Sequence, residues 1–388
     1  MAAMPCPPYY SFVSVNNTPP CLPTCPQGIY SDYDYQVFLW DHVVYATLAV
    51  IIGIAVSIPY ALMPSKRKFP GNLLLTMFIS LTITSLMGLM PVMTGGKDHW
   101  YNLSCHDDHT LAGYHDSGCA AVAIIAHVTT YIGIGMWLSI AVSIPIKLRH
   151  VKISIRAQTI IAYVFTLLIT VATVSVMLGG QAIIGQPLGG VCGFDPNKGG
   201  GWYYAAGFAI PLGVILLTGL SAIGYAIGYL IYVTRKRTGS IWDALGYYKS
   251  QWRIFAFLAC FFDSSVVALS YWGYTWNNAT AFQTSIVGYY GCLYKTWGET
   301  MANGTSPALA DQLALSLCPE PFKPAFGTLV YVTLNAQLSI LAFSIIFLFD
   351  LQILQWYKTI FTTGHLPVPD PELGNVSSET VSRTSSQL

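Results

Sequence analysis

Seven stretches of this sequence are long and apolar enough to cross a lipid bilayer, at about 40–63, 72–94, 119–146, 157–180, 202–233, 254–274 and 325–349. A helix needs roughly 20 predominantly apolar residues to span the hydrocarbon core. Inside that core every backbone N–H and C=O must bond within the protein, so each stretch is read as a helix. The composition agrees: 54% of residues are hydrophobic and 9% charged, against about 25% charged in ordinary globular chains. Most of the stretches carry no charged residue; Asp263 lies in the sixth. A shorter apolar run, "AFQTSIVGYYGCLY" (281–294), is too short to cross and is read as part of a loop. The expected fold is an all-α membrane protein, a seven-transmembrane-helix bundle.

Basic residues orient the bundle, because cytoplasmic loops retain Lys and Arg. With an extracellular N-terminus, 14 of the 18 basic residues fall inside. They include Lys66, Arg67 and Lys68 in the first inner loop, Lys147 to Arg156 in the second, and Arg235 to Arg253 in the third. The opposite orientation would leave 14 outside. Four N-x-[ST] glycosylation sequons, at Asn16, Asn102, Asn278 and Asn303, all fall outside in this arrangement. A fifth, at Asn375, falls in the cytoplasmic tail and is expected to stay unmodified. The chain then divides into a short extracellular Cys-containing segment (1–38), a transmembrane domain (39–349), an amphipathic juxtamembrane helix (350–363) and a Ser/Thr-rich, disordered tail (364–388).

There are nine cysteines. Eight lie on the oxidising face in this orientation, an even count that permits about 105 pairings. Two are favoured. Cys119–Cys192 would tie the second outer loop to the third span, and Cys292–Cys318 would close the third outer loop. Cys260, alone inside the membrane, reads as a small buried apolar residue.

Four local motifs carry a family likeness: "RKFPGN" (67–72), "GGVCGF" (189–194), "RIFAF" (253–257) and "WYKT" (356–359). In order and position they resemble the first inner loop, the second outer loop, the start of the sixth span and the segment after the seventh span of the Frizzled/Smoothened receptors, and of their relatives that include slime-mould cyclic-AMP receptors. The likeness covers about residues 35–363. The family's large cysteine-rich N-terminal domain has no counterpart in the residues ahead of the first span, so Wnt binding is not implied. Thr363 stands where the Frizzled tail motif ends in Trp, so Dishevelled docking is not implied either. Ser264 replaces the family's sixth-span proline and Leu73 the second proline of the first inner loop. The resemblance implies a Frizzled-like, G-protein-coupled-type cell-surface receptor at the plasma membrane. It would signal by rearrangement of the third, sixth and seventh helices. Its expected partners are an unidentified extracellular ligand, a heterotrimeric G protein and the lipid bilayer.

The same resemblance points to Arg253 as an activation switch. The family's equivalent base contacts an aromatic at the end of the seventh helix, and Trp356 is the nearest such residue. A cation–π contact is worth about 0.5–2 kcal/mol, enough to bias a two-state equilibrium without locking it. Two intramembrane polar residues stand out as well. Asp263 lies about 15 Å into the sixth span and His127 about 12 Å into the third, at ~1.5 Å per residue. Polar groups at such depth are functional hypotheses by default, and the two are expected at depths that allow pairing. The loop "CHDDHTLAGYHDSGC" (105–119) alternates His106, His109 and His115 with Asp107, Asp108 and Asp116, in a spacing that matches no recognised metal site. Trp202, Tyr203, Tyr204, Trp272, Tyr274 and Trp276 crowd the outer ends, as an interfacial aromatic belt does. Pro145 and Pro211 are candidate kink positions.

Other classes fit less well. A polytopic transporter or channel is the alternative, but no internal repeat is visible and Asp263 is the one mid-membrane acid. A retinal protein needs a lysine in the seventh span, and none lies in 325–349. No G-x-S-x-G or H-E-x-x-H motif is present, so no catalytic residue is assigned and no metal or cofactor is expected. A net charge of +1 gives no signal for nucleic acid.

Overall fold

The computed structural model describes residues 10–12, 21–23, 32–96, 102–106, 111–149, 151–185, 191–195, 198–238, 252–323 and 325–363. The other residues include Asn16, Cys6, Cys25, most of the third inner loop, the tail beyond 363 and Asn375. Readings that rest on them lie outside the described residues, as does the side chain of Arg253.

Two short strands, Tyr10–Phe12 (β1) and Cys21–Pro23 (β2), pair antiparallel near the start. Four long helices follow: α1 (Asp32–Leu62), α2 (Gly71–Gly95), α3 (Ser117–Leu148) and α4 (Ile155–Gly179). An antiparallel hairpin, Ile183–Gly185 (β3) with Cys192–Phe194 (β4), connects α4 to the fifth span. That span opens with a helical turn, Trp202–Tyr204, and a π-helical segment, Ala205–Ala209, before the regular helix α5 (Ile210–Thr238). The chain ends in α6 (Trp252–Ala302), α7 (Pro307–Leu317), α8 (Phe326–Leu348) and α9 (Leu351–Thr363). Among the described residues, helices cover all seven predicted spans, and six of them combine the length and hydropathy that crossing requires. The protein is a multi-pass, seven-helix membrane bundle.

Why these segments settle as helices in an apolar medium is visible in their hydroxyls. Ser57, Thr76, Thr82 and Thr170 each donate to the carbonyl four residues back, so no hydroxyl proton among them is left facing lipid. The helices approach closely where glycine removes a side chain, as small residues allow between membrane helices. A Cβ on Gly135 of α3 would lie 2.6 Å from the Thr166 hydroxyl of α4. One on Gly219 of α5 would fall within the indole of Trp137. Trp137, Tyr131 and Met136 are fully buried, and α3 is more enclosed than α1, α2, α4, α5 or α8. Of these six α4 is the most peripheral; Ile160, Val164, Leu167 and Leu168 face outward.

Two boundaries differ from the sequence reading. The first helix begins at Asp32, ahead of the span expected from 40. The larger difference concerns 281–294, read as loop. It is helical, the continuation of the 51-residue α6. At 1.5 Å per residue α6 is about 76 Å long, more than twice a ~30 Å hydrocarbon core. Its far half survives beyond the bundle because it is amphipathic. Tyr290, Leu293 and Trp297, at helical spacing, bury against Ala310, Ala314 and Cys318 on and after α7. The Phe282 and Phe322 rings stack at 4.9 Å, and the Cys292–Cys318 disulfide ties the pair, with Cα atoms 5.8 Å apart. Hydropathy length alone misses this, since the segment needs a partner helix rather than a membrane.

Candidate functional site

Pro211 sets up the most distinctive local geometry. Proline has no N–H, so the carbonyl four residues earlier, that of Gly207, has no i+4 donor. The π-helical segment lies at this point, and such segments cluster at functional sites. The Tyr131 hydroxyl of α3 reaches the freed backbone, 3.2 Å from the Gly207 carbonyl and 3.0 Å from that of Phe208. A single proton thus serves both acceptors as a three-centre bond.

Tyr131 belongs to a closed ring of five side chains. His127 lies 4.8 Å from Tyr131 and 5.7 Å from Phe194, ring centre to ring centre. Phe194 lies 5.6 Å from Tyr204, Tyr204 5.1 Å from Phe208, and Phe208 6.5 Å from Tyr131. Three elements meet here: α3, the β3–β4 hairpin and the start of the fifth span. Gly207 allows it, because a Cβ there would stand 2.6 Å from the Phe194 ring. Within the ring the Nε2 of His127 is buried and has no hydrogen-bond partner among the described residues. Leaving a buried polar atom unmatched costs about 1–3 kcal/mol, so its retention calls for an explanation.

The hairpin roofs this ring and is held from several sides. Cys192 of β4 is disulfide-bonded to Cys119 of α3, with Cα atoms 5.2 Å apart. Gly185 donates to the Ala112 carbonyl, Ala112 to that of Ser104, and Asp195 to that of Ala182. The α2–α3 connection is therefore knitted to the hairpin edge. In that connection His106 lies 3.1 Å from Asp116, whose other oxygen accepts from the Gly113 N–H. His109, Asp107 and Asp108 lie outside the described residues. Both expected disulfides are present, and Cys105 is disulfide-bonded as well.

A second polar constellation runs along α8. Asn335, Gln337 and Ser339 are buried. The Ser85 hydroxyl of α2 donates to Gln337 at 2.9 Å, and the Asn335 amide donates to Asp263 of α6 at 3.2 Å. Ser339 bonds the Asn335 side chain at 3.2 Å. The expected His127–Asp263 pair is therefore not formed. Asp263 points toward α8 and its Asn335, whereas His127 points toward the hairpin and its aromatic rings. Similar depth does not imply a shared face. The alternation N-A-Q-L-S of 335–339 inside an apolar span was a readable signal for the α8 seam, since polar residues there need partners.

At the opposite end of the bundle the basic residues make specific contacts. Lys66 pairs with Asp350, in the α8–α9 turn, at 3.0 Å, and lies over the Tyr60 ring. Lys147 at the end of α3 sits 4.7 Å from the Phe69 ring centre. Arg149 donates to the Tyr225 hydroxyl of α5 and lies 4.7 Å from its ring centre. The Tyr357 hydroxyl donates to the Ala55 carbonyl of α1. Trp356 is buried, edge-on to Tyr357. Lys66, next to "RKFPGN", and Asp350, six residues before "WYKT", are thus paired. Of the sequons, Asn102 and Asn303 are exposed. Asn278 is half-buried in α6, donating to the Tyr274 carbonyl.

No family model matches this sequence, and no curated protein matches it. Among solved structures the chain is similar to the crystal structure of squid rhodopsin, at 14% identity and a TM-score of 0.44, over 91% of this chain and 90% of that one.

Proposed function

We propose that this protein is a Frizzled-like cell-surface signalling receptor, without a Wnt-binding cysteine-rich domain. Its hairpin end and N-terminus face the outside, and its α9 end carries the G-protein contact. The observation that carries the reading is the His127 ring. A buried, unmatched Nε2 stands under a disulfide-pinned roof, where a polar group of an extracellular ligand would complete it. The ring joins α3 to the π-helical start of the fifth span. A change there shifts α3 against α5, which meet again at the Arg149–Tyr225 contact, at the end of α3 and midway along α5. The Asp263–Asn335 bond gives the sixth and seventh spans a common seam. The positive-inside distribution of Lys and Arg supports the orientation.

The test is agonist-independent G-protein activation, compared at equal surface expression for wild type, His127→Ala and Arg253→Ala. Arg253→Ala is expected to raise basal activation, and His127→Ala, which opens the ring, to change it at least twofold. Unchanged activity in both variants would sink the proposal. Electrogenic substrate uptake by the wild type would transfer the protein to the transporter class.

A further inference from the structure

Asp263 lies about 15 Å into α6, counted from Arg253. Its partner Asn335 lies about 14 Å into α8, counted from the other side of the membrane at Phe326. Both counts place the bond near the middle of the bilayer. Yet Asp263 is exposed at the surface of the bundle. Among the described residues Asn335 is its one hydrogen-bond donor, and it reaches a single carboxylate oxygen.

The exposed neighbours on α6 share its face. Ala259, Asp263, Val266, Ser270 and Tyr274 follow at helical spacing and are all exposed. Ala259 and Ser270, about one and two turns from the carboxylate, are small residues of the kind that line helix–helix interfaces in a membrane, where close backbone approach and interhelical hydrogen bonds supply the attraction. The exposed residues of α4 from 160 to 175, among them Ile160, Val164, Leu167 and Leu168, include no charged side chain. The carboxylate at mid-membrane depth is what sets the α6 face apart.

We infer that the α6 face centred on Asp263 docks a transmembrane helix of another protein, and that this helix carries a lysine or arginine near its middle. Charge complementarity selects the occupant. A carboxylate at the bilayer centre is costly and pairs with a basic group. A second copy cannot supply one, because none of its seven spans contains Lys or Arg. Its His127 lies turned into the aromatic ring. The inference needs only that the bundle spans the membrane, so it stands apart from the signalling role.

The probe is a single-span Leu/Ala helix with one central lysine, and its control carries leucine at that position. Each is expressed with the full-length protein, and energy transfer between fluorescent tags is measured in the membrane. The lysine probe is expected to give several-fold more transfer than the control. Asp263→Asn, which keeps an acceptor for Asn335, should reduce it to the control level. A cysteine beside the probe's lysine should crosslink to Ala259→Cys and Ser270→Cys but not to Val164→Cys on α4. Equal transfer from both probes overturns the inference. So does crosslinking to Val164→Cys as strongly as to Ser270→Cys, or self-association of the protein that Asp263→Asn abolishes. If Asp263→Asn fails to reach the surface, the lysine-against-leucine comparison on the wild type decides alone.

Discussion

Tyr131 shows how one hydroxyl can hold an irregular helix in place. Pro211 withholds the donor that the Gly207 carbonyl needs, and Tyr131 supplies another from α3. Removing that hydroxyl leaves a buried carbonyl unsatisfied, at a cost of about 1–3 kcal/mol. Tyr131→Phe is therefore expected to lower the thermal midpoint of the detergent-solubilised protein. The mechanism makes a sharper demand on the double variant. In Tyr131→Phe/Pro211→Ala the new N–H of residue 211 can serve the Gly207 carbonyl, so the combined loss should be smaller than that of Tyr131→Phe alone. Equal or additive losses would show that Tyr131 does not act through that carbonyl. The proline's missing donor is legible in the sequence. The residue that compensates for it is not, because Tyr131 is brought there by helix packing across 76 positions of sequence. His127 and Asp263 illustrate the same limit. Their depths could be counted along the chain, but which face of each helix looks inward depends on neighbours that counting does not supply.

At the scale of elements, the oxidising face and the even cysteine count left about 105 pairings, of which the two favoured ones are present, and the seven spans were readable because each rests on a local requirement, apolar length. The far half of α6 was not, since its apolar residues answer to α7 rather than to lipid. That dependence can be measured. Cys292–Cys318 and the Phe282–Phe322 stack are what hold the stalk against its partner. A disulfide typically contributes about 2–4 kcal/mol, and local opening follows local stability. In Cys292→Ser/Cys318→Ser, amide hydrogen exchange should quicken through 285–302 and 307–317. It should stay unchanged through 256–270, where α6 packs against the bundle through the buried Phe261 and Ser265. Uniform quickening along the whole of α6 would mean that the helix behaves as one cooperative rod and that the stalk has no independent stability.

For the whole molecule the decisive question is which end faces the cell exterior, because every functional assignment follows from it. The two ends differ in chemistry. One carries the hairpin, the disulfides and the exposed Asn102 and Asn303. The other carries the Lys66–Asp350, Lys147–Phe69 and Arg149–Tyr225 contacts. Disulfides form in an oxidising space and basic clusters are retained in the cytoplasm, so two independent pressures agree. N-glycans are added only on the lumenal side, which supplies a third and separate reading. Protein from a glycosylating host should lose one glycan in Asn102→Gln and another in Asn303→Gln, seen as stepwise mobility shifts that glycosidase treatment removes. Asn375→Gln should leave the pattern unaltered. Asn278 tests something finer. It sits within helical α6, half-buried and bonded to the Tyr274 carbonyl, about 37 Å from Arg253 at ~1.5 Å per residue. That places it just past a ~30 Å core, close to the membrane surface, where transferase access is restricted, so its occupancy should be below that of Asn303. A glycan on Asn375 with none on Asn102 or Asn303 would invert the molecule, turn the His127 ring toward the cytoplasm and remove the receptor reading with it.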